Sequence, residues 1–197
     1  MRPVSNEQCI VFLDRDGTIN RNYEEGPVYK LELFELLPRA AQAVRLLNDL
    51  KIRTIVITNQ GGINHKKRDF NWETYWQIEK MMRRALAKDA DAHVDDVFLC
   101  HHADYEMCNC RKPETGLFKQ VKEKYAFAPE KSYIIGDSQA DIIAGKKIGL
   151  ITMLVESGWD QTVNEKLLKQ NQKPDHIFKD IYDAAIFIKT EREKKKR

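Results

Sequence analysis

The feature that most constrains this chain is a repeated alternation of short, β-branched apolar runs with longer stretches of helical apolar spacing. Residues 9–13, 52–58, 97–100, 133–136 and 150–155 have strand length and almost no polar alternation, as strands buried on both faces do. Between and after them, residues 40–50, 72–87, 116–125, 139–148 and 177–189 read as helices, with Gly149 closing the fourth. This order predicts an α/β fold, a Rossmann-like three-layer domain around a mostly parallel central sheet. It leaves no room for a large cap domain between residues 16 and 58 or between 61 and 97. Residues 1–190 are expected to form one domain and residues 191–197 a charged tail.

The polar clusters are placed systematically on this framework. Asp14, Thr58, a Cys/His group beginning at Cys100, and Asp137 each follow a strand. The carboxyl ends of parallel strands share one edge, and ligands bind in the crevice there. Residues spread over more than 120 positions are therefore expected at one site.

Their chemistry suits phosphoryl transfer. In Leu13-Asp14-Arg15-Asp16-Gly17-Thr18, two carboxylates leave a strand two residues apart and can face the same way. One can attack phosphorus, and the other can move protons to the leaving oxygen and from water. A cation such as Mg²⁺ relieves their repulsion and binds phosphate as well. Thr58, Asn59, Gln60 and the following glycines offer donors for phosphate oxygens, and Arg111-Lys112 offers fixed positive charge. Asp137 is either a further metal carboxylate or a helix N-cap, with Ser138 beside it. Asp141, one helical turn on, either orients the metal shell or favours the helix dipole.

A second cluster, Cys100-His101-His102 and Cys108-Asn109-Cys110, holds three of the four cysteines. Three thiolates and one imidazole complete a closed tetrahedral Zn²⁺ site. Such a site would pin a loop beside Arg111 and Lys112.

Charge argues against a polyanion partner. The chain has 33 Lys/Arg and 30 Asp/Glu, and the last seven residues hold five and two of these, so the remainder balances at 28 of each sign. Nucleic acid is therefore not an expected partner. No apolar run is long enough to cross a bilayer, and the first residues lack an export pattern, so a reducing cytoplasm and no membrane association are expected.

The order of these motifs resembles the haloacid-dehalogenase-like phosphatases from Ile10 to about Leu154. The resemblance implies that Asp14 is the nucleophile, Asp16 the general acid/base, and Thr58 and Lys112 the phosphate-binding pair. It also implies a catalytic Mg²⁺ held by Asp14, Asp137 and the Asp16 backbone carbonyl. The C-x-H…C-x-C-R-K-P arrangement is similar to one branch, the D,D-heptose 1,7-bisphosphate and histidinol phosphatases. This implies a structural Zn²⁺ on Cys100, His102, Cys108 and Cys110, and Arg111 and Asn59 as substrate contacts, with Gln60 and Ser138 beside them. The expected substrate is a small phosphorylated metabolite, a sugar bisphosphate ahead of histidinol phosphate, handled by a monomer or small homo-oligomer. The His65-Lys66-Lys67-Arg68 run is a candidate for a second phosphate.

A receiver domain would place its acceptor Asp after a middle strand, which this chain does not. A polynucleotide end-phosphatase shares the D-x-D-G-T and T-N-Q features, but its polyanion is disfavoured by the neutral body. A non-catalytic zinc scaffold would not need the full set Asp14, Asp16, Thr58, Lys112 and Asp137.

Overall fold

Parallel strands need a crossover between them, and every helix of this chain but the last lies between two consecutive strands. The computed structural model describes residues 8–24, 26, 28–63 and 70–194. Six strands form one sheet: β1 Ile10–Leu13, β2 Arg53–Asn59, β3 Asp96–Cys100, β4 Tyr133–Gly136, β5 Ile151–Val155 and β6 His176–Phe178. Their order is β3-β2-β1-β4-β5-β6, and all neighbours are parallel. The helices are α1 Ala40–Asp49, α2 Trp72–Ala90, α3 Gly116–Lys124, α4 Gln139–Ile148, α5 Val163–Lys169 and α6 Ile181–Lys194.

Alternate strand residues point to opposite faces, and both faces are apolar, so helices must cover both. Val11, Leu13, Val56, Ile135 and Met153 pack with Val44 and Leu47 of α1, Met82 and Leu86 of α2, and Ala184 and Ile188 of α6. Ile10, Phe12, Ile55, Ile57 and Ile134 face the other way, onto Leu117, Phe118 and Val121 of α3 and Ala144 of α4. Phe12 meets Phe118 and Phe127 edge-on, with ring centroids 5.2 Å apart in each pair. Burying such a side chain contributes about 2–3 kcal/mol, so the segment just before Asp14 is firmly held.

The chain lays down β1, β2 and β3 in one direction and then returns to the other side of β1 for β4. The order reverses between β1 and β4, and the crevice opens at their carboxyl ends.

Three features depart from the sequence reading. Residues 176–178 form an edge strand, and α6 starts only at Ile181. Strand β6 is three residues long and half-buried to exposed, too short to show a period. Helix α5 was not foreseen either. Residues 191–194 belong to the last turns of α6 rather than to a tail, where Lys194 pairs with Glu191 at 2.8 Å and Glu193 lies 4.0 Å from Lys189. Charges three and four positions apart support a helix, so a charged stretch need not fray. The run at 65–68 and residues 195–197 lie outside the described residues. Among the described residues, no helix is long and apolar enough to cross a membrane.

Candidate active site

The ladder between β1 and β4 runs one residue beyond Leu13, because the Asp14 N–H donates to the Ile135 carbonyl at 2.9 Å. That bond fixes Asp14 against the end of β4, and Gly17, at φ 93°, turns the chain away. Asp137 follows β4 directly, and Asp141 lies in the first turn of α4. One carboxylate oxygen from each of Asp14, Asp137 and Asp141 lies within 4.8 Å of the others. Lys112 reaches into the group, its Nζ donating to Asp14 Oδ1 at 2.8 Å, Asp141 Oδ1 at 2.5 Å and the Ile57 carbonyl at 2.6 Å. All four side chains are buried.

One cation among three buried carboxylates leaves the cluster short of positive charge. Burial pushes the Asp14 carboxyl up to about 7, against the pull of Lys112 and with the repulsion of Asp141. Burial, with the charge of Asp14, holds the Asp137 carboxyl well above its ordinary range. Burial opposes the charge on Lys112, but Asp14 and Asp141 prevail and its pKa is raised. Asp137 Oδ1 is buried without a hydrogen-bond partner. Surplus negative charge and an unpartnered oxygen are what a hard divalent cation satisfies, so these residues fit Mg²⁺.

Asp16 is held from several sides. Arg15 donates Nε to Oδ2 at 3.0 Å and Nη2 to Oδ1 at 3.2 Å. The Asn20 amide and the Val28 N–H reach Oδ1 at 3.0 and 3.1 Å, and the Gln60 amide reaches Oδ2 at 2.8 Å. Gln60 also accepts from Arg15 at 3.0 Å and donates to Thr58 Oγ1 at 2.8 Å. Gln60 was expected to touch substrate, but it is fully buried, and its amide positions Asp16 and Thr58 instead. Two other expected contacts, Asn59 and Ser138, do line the crevice, and each also bonds within the protein. Asn59 clamps the Lys112 backbone, accepting from its N–H and donating to its carbonyl, both at 2.9 Å. Ser138 caps α4, its hydroxyl donating to Asp141 Oδ2 at 2.5 Å. The N-cap of α4 is thus Ser138, which leaves Asp137 available to the crevice.

The crevice has a volume of about 450 Å³, within the range of small-metabolite sites. Asp14, Asp16, Thr58, Lys112 and Asp137 line its floor, and Arg111 lies on one wall. Asn22, Tyr23, Trp159 and Asp160 form another wall, which the sequence reading missed. No local motif marks these residues; only the docking of the loop after β5 onto the loop after β1 brings them together. Trp72, Tyr75 and Trp76 do not line the crevice, and Tyr75 is a core residue.

The second cluster stands next to the wall that carries Arg111. The Sγ atoms of Cys100, Cys108 and Cys110 are 3.2–3.5 Å apart, and His102 Nδ1 lies 3.6 Å from Cys100 Sγ and 3.3 Å from Cys110 Sγ. Tetrahedral zinc with bonds of about 2.3 Å separates thiolates by about 3.8 Å, so the four donors fit one ion after slight relaxation. His101 is exposed, lies tilted against Trp72 at 5.4 Å and stacks on His102 at 4.2 Å. Arg111 follows at once, its N–H on Cys108 Sγ at 3.3 Å and its guanidinium on the His102 carbonyl at 3.4 Å.

Comparison with known proteins agrees with this geometry. The chain is 32% identical over 185 residues to a D-glycero-beta-D-manno-heptose-1,7-bisphosphate 7-phosphatase of Haemophilus ducreyi, covering 90% of this chain and 97% of that one. The chain belongs to the heptose-bisphosphate phosphatase branch of the haloacid-dehalogenase-like hydrolases. Relatives of this branch differ in the anomer named: a Photorhabdus laumondii D-glycero-alpha-D-manno-heptose-1,7-bisphosphate 7-phosphatase is 33% identical over 152 residues, 74% of this chain and 80% of that one. The HAD-hydrolase-like family model matches residues 109–184. A D,D-heptose 1,7-bisphosphate phosphatase from B. bronchiseptica, crystallised with magnesium and phosphate, superposes on this phosphatase with a TM-score of 0.83 at 28% identity. It covers 93% of this chain and 99% of that one.

Proposed function

We propose that this phosphatase removes the C7 phosphate of D-glycero-D-manno-heptose 1,7-bisphosphate in the cytoplasm, through an aspartyl-phosphate intermediate formed by a single domain spanning residues 1–190. The observation that carries the chemistry is the buried Asp14–Asp137–Asp141 group with Lys112 among its carboxylates, at the floor of an open crevice. The substrate follows from the names of the relatives.

In this reading an Asp14 oxygen attacks phosphorus and the bond to the sugar oxygen breaks. Asp16 gives a proton to the departing alkoxide, so a neutral alcohol leaves. Asp16 then takes a proton from water, whose oxygen attacks the phosphorus of the acyl phosphate and releases inorganic phosphate with Asp14 restored. Thr58 and Lys112 hold phosphate oxygens during both steps, and Asn59 keeps the Lys112 backbone in place. Arg111 offers its guanidinium to the rest of the substrate. Mg²⁺, when held by Asp14, Asp137 and the Asp16 carbonyl, supplies neutralising charge to the phosphoryl oxygens. Zn²⁺ on Cys100, His102, Cys108 and Cys110 has a structural role, holding the loop that carries Arg111 and Lys112.

A phosphate-release screen tests the assignment, with both heptose bisphosphate anomers, sugar monophosphates, histidinol phosphate and 3′-phosphorylated DNA as substrates. The heptose bisphosphates are expected to give the highest kcat/KM. A higher value for histidinol phosphate or DNA overturns the substrate while leaving the chemistry intact.

A further inference from the structure

The carboxylate of Asp137 has two oxygens in different surroundings. Oδ1 is buried and without a hydrogen-bond partner, in a residue only 7% exposed. Oδ2 accepts from the Asn22 amide Nδ2 at 2.8 Å. The other end of that amide is engaged as well, because Asn22 Oδ1 accepts from the Trp159 N–H at 3.0 Å. These two partners define the orientation of the amide, since the flipped form would set oxygen against oxygen and N–H against N–H. Oδ2 is also boxed in by backbone. A Cβ added at Gly17 or at Gly158 would lie 2.1 Å from it. The Ser157 hydroxyl donates to the Gly17 carbonyl at 2.7 Å and ties the two glycine loops together.

We propose that Asn22 is a positioning residue for the catalytic cation: it holds Asp137 Oδ2 against the two glycine loops, so that Oδ1 is the oxygen presented to Mg²⁺. The proposal rests on the reading of Asp137 as a Mg²⁺ ligand. An amide suits this place because it donates to Asp137 and accepts from Trp159 at once. A carboxylate at position 22 would repel Asp137, and an aliphatic side chain would leave both Asp137 Oδ2 and the Trp159 N–H without their partner. The same side chain pins Trp159, a wall residue of the crevice, to the metal carboxylate. Cation binding and the shape of the substrate wall therefore share one anchor. Groups that orient a metal ligand from behind are worth about 10–100-fold in metal affinity.

The test is a Mg²⁺ titration followed by thermal unfolding, which needs no turnover, on the wild type, Asn22→Leu, Gly158→Ala and Asp137→Asn. Asn22→Leu removes the donor to Oδ2, and Gly158→Ala displaces the same oxygen from the other side. The Mg²⁺ midpoint of Asn22→Leu is expected to rise at least about tenfold, with Gly158→Ala shifting in the same direction. A wild-type midpoint in Asn22→Leu, with only a lower metal-free unfolding temperature, overturns the proposal, because that is what a merely structural asparagine would give. Should Asn22→Leu fail to fold, the Mg²⁺ midpoint of the smaller Asn22→Ala, which also lacks the donor, decides by the same criterion. If Asp137→Asn keeps the wild-type midpoint, Asp137 is not a ligand, and the underlying reading falls along with the role of Asn22.

Discussion

The two metal-capable clusters found among the described residues stand at the same edge of the sheet and are built in opposite ways. The thiol cluster draws its four donors from residues 100–110, and those donors touch one another. The carboxylate cluster gathers residues 14, 137 and 141 from just beyond β1, just beyond β4 and the first turn of α4, opens onto a crevice, and keeps an oxygen of Asp137 without a partner. A closed set of four soft donors holds an ion and nothing more. An open, charge-deficient set of hard donors leaves room for a substrate phosphate. The comparison teaches that proximity in sequence suits a structural site, whereas the reactive site uses the rigidity of strands that are distant in sequence.

That contrast can be broken most directly at Asp14. Asp14→Asn should reduce turnover of any phosphate ester by at least roughly a thousandfold while the protein still unfolds cooperatively. Steady-state assays with circular dichroism check this, and retained activity would remove Asp14 from the nucleophile role.

Cys108→Ser should act first on the other cluster and reach the carboxylates only through the loop it holds. Zinc, expected at about one per chain by elemental analysis, should be lost, the unfolding temperature should fall, and kcat/KM should drop by about 10–100-fold through the loosened Arg111 and Lys112. A zinc-free wild type of full stability would contradict the structural site.

The smallest effect concerns charge. Asp14 titrates near 7 instead of 3.8, and Asp137 is shifted in the same direction, both through burial. The folded protein therefore binds more protons than the unfolded chain between these values. This contribution to stability is fully present below 3.8 and is lost as pH rises through about 7. In protein dialysed free of Mg²⁺, Tm should fall by at least about 5 °C between pH 5 and pH 8, and added Mg²⁺ should reduce that fall. A Tm that rises with pH in the absence of Mg²⁺ would show that the carboxylates are not short of positive charge.

Much of this was legible in the chain. β-Branched runs of strand length announced β1 to β5, because a strand buried on both faces must be continuously apolar. The position of Asp14 and Asp137 just after those runs, and of Thr58 at the carboxyl end of β2, placed them on one edge, since parallel strands all end on the same side. The thiol and imidazole donors were legible for a different reason: residues within one short segment, 100–110, need little of the rest of the chain to come together. Strand β6 and helix α5 were not, being too short to display a period.

Tertiary structure alone decided how each polar group is used. Asn59, Gln60 and Ser138 have the chemistry of substrate contacts; Asn59 and Ser138 line the crevice, and all three also bond within the protein, to the Lys112 backbone, to Asp16 with Thr58, and to Asp141. Asn22 and Trp159 belong to no motif and meet only because the loop after β5 closes on the loop after β1. Residue type and strand order determine which chemistry is present and at which edge. The partner of each donor and acceptor depends on distances of about 3 Å, and only the packed fold sets those.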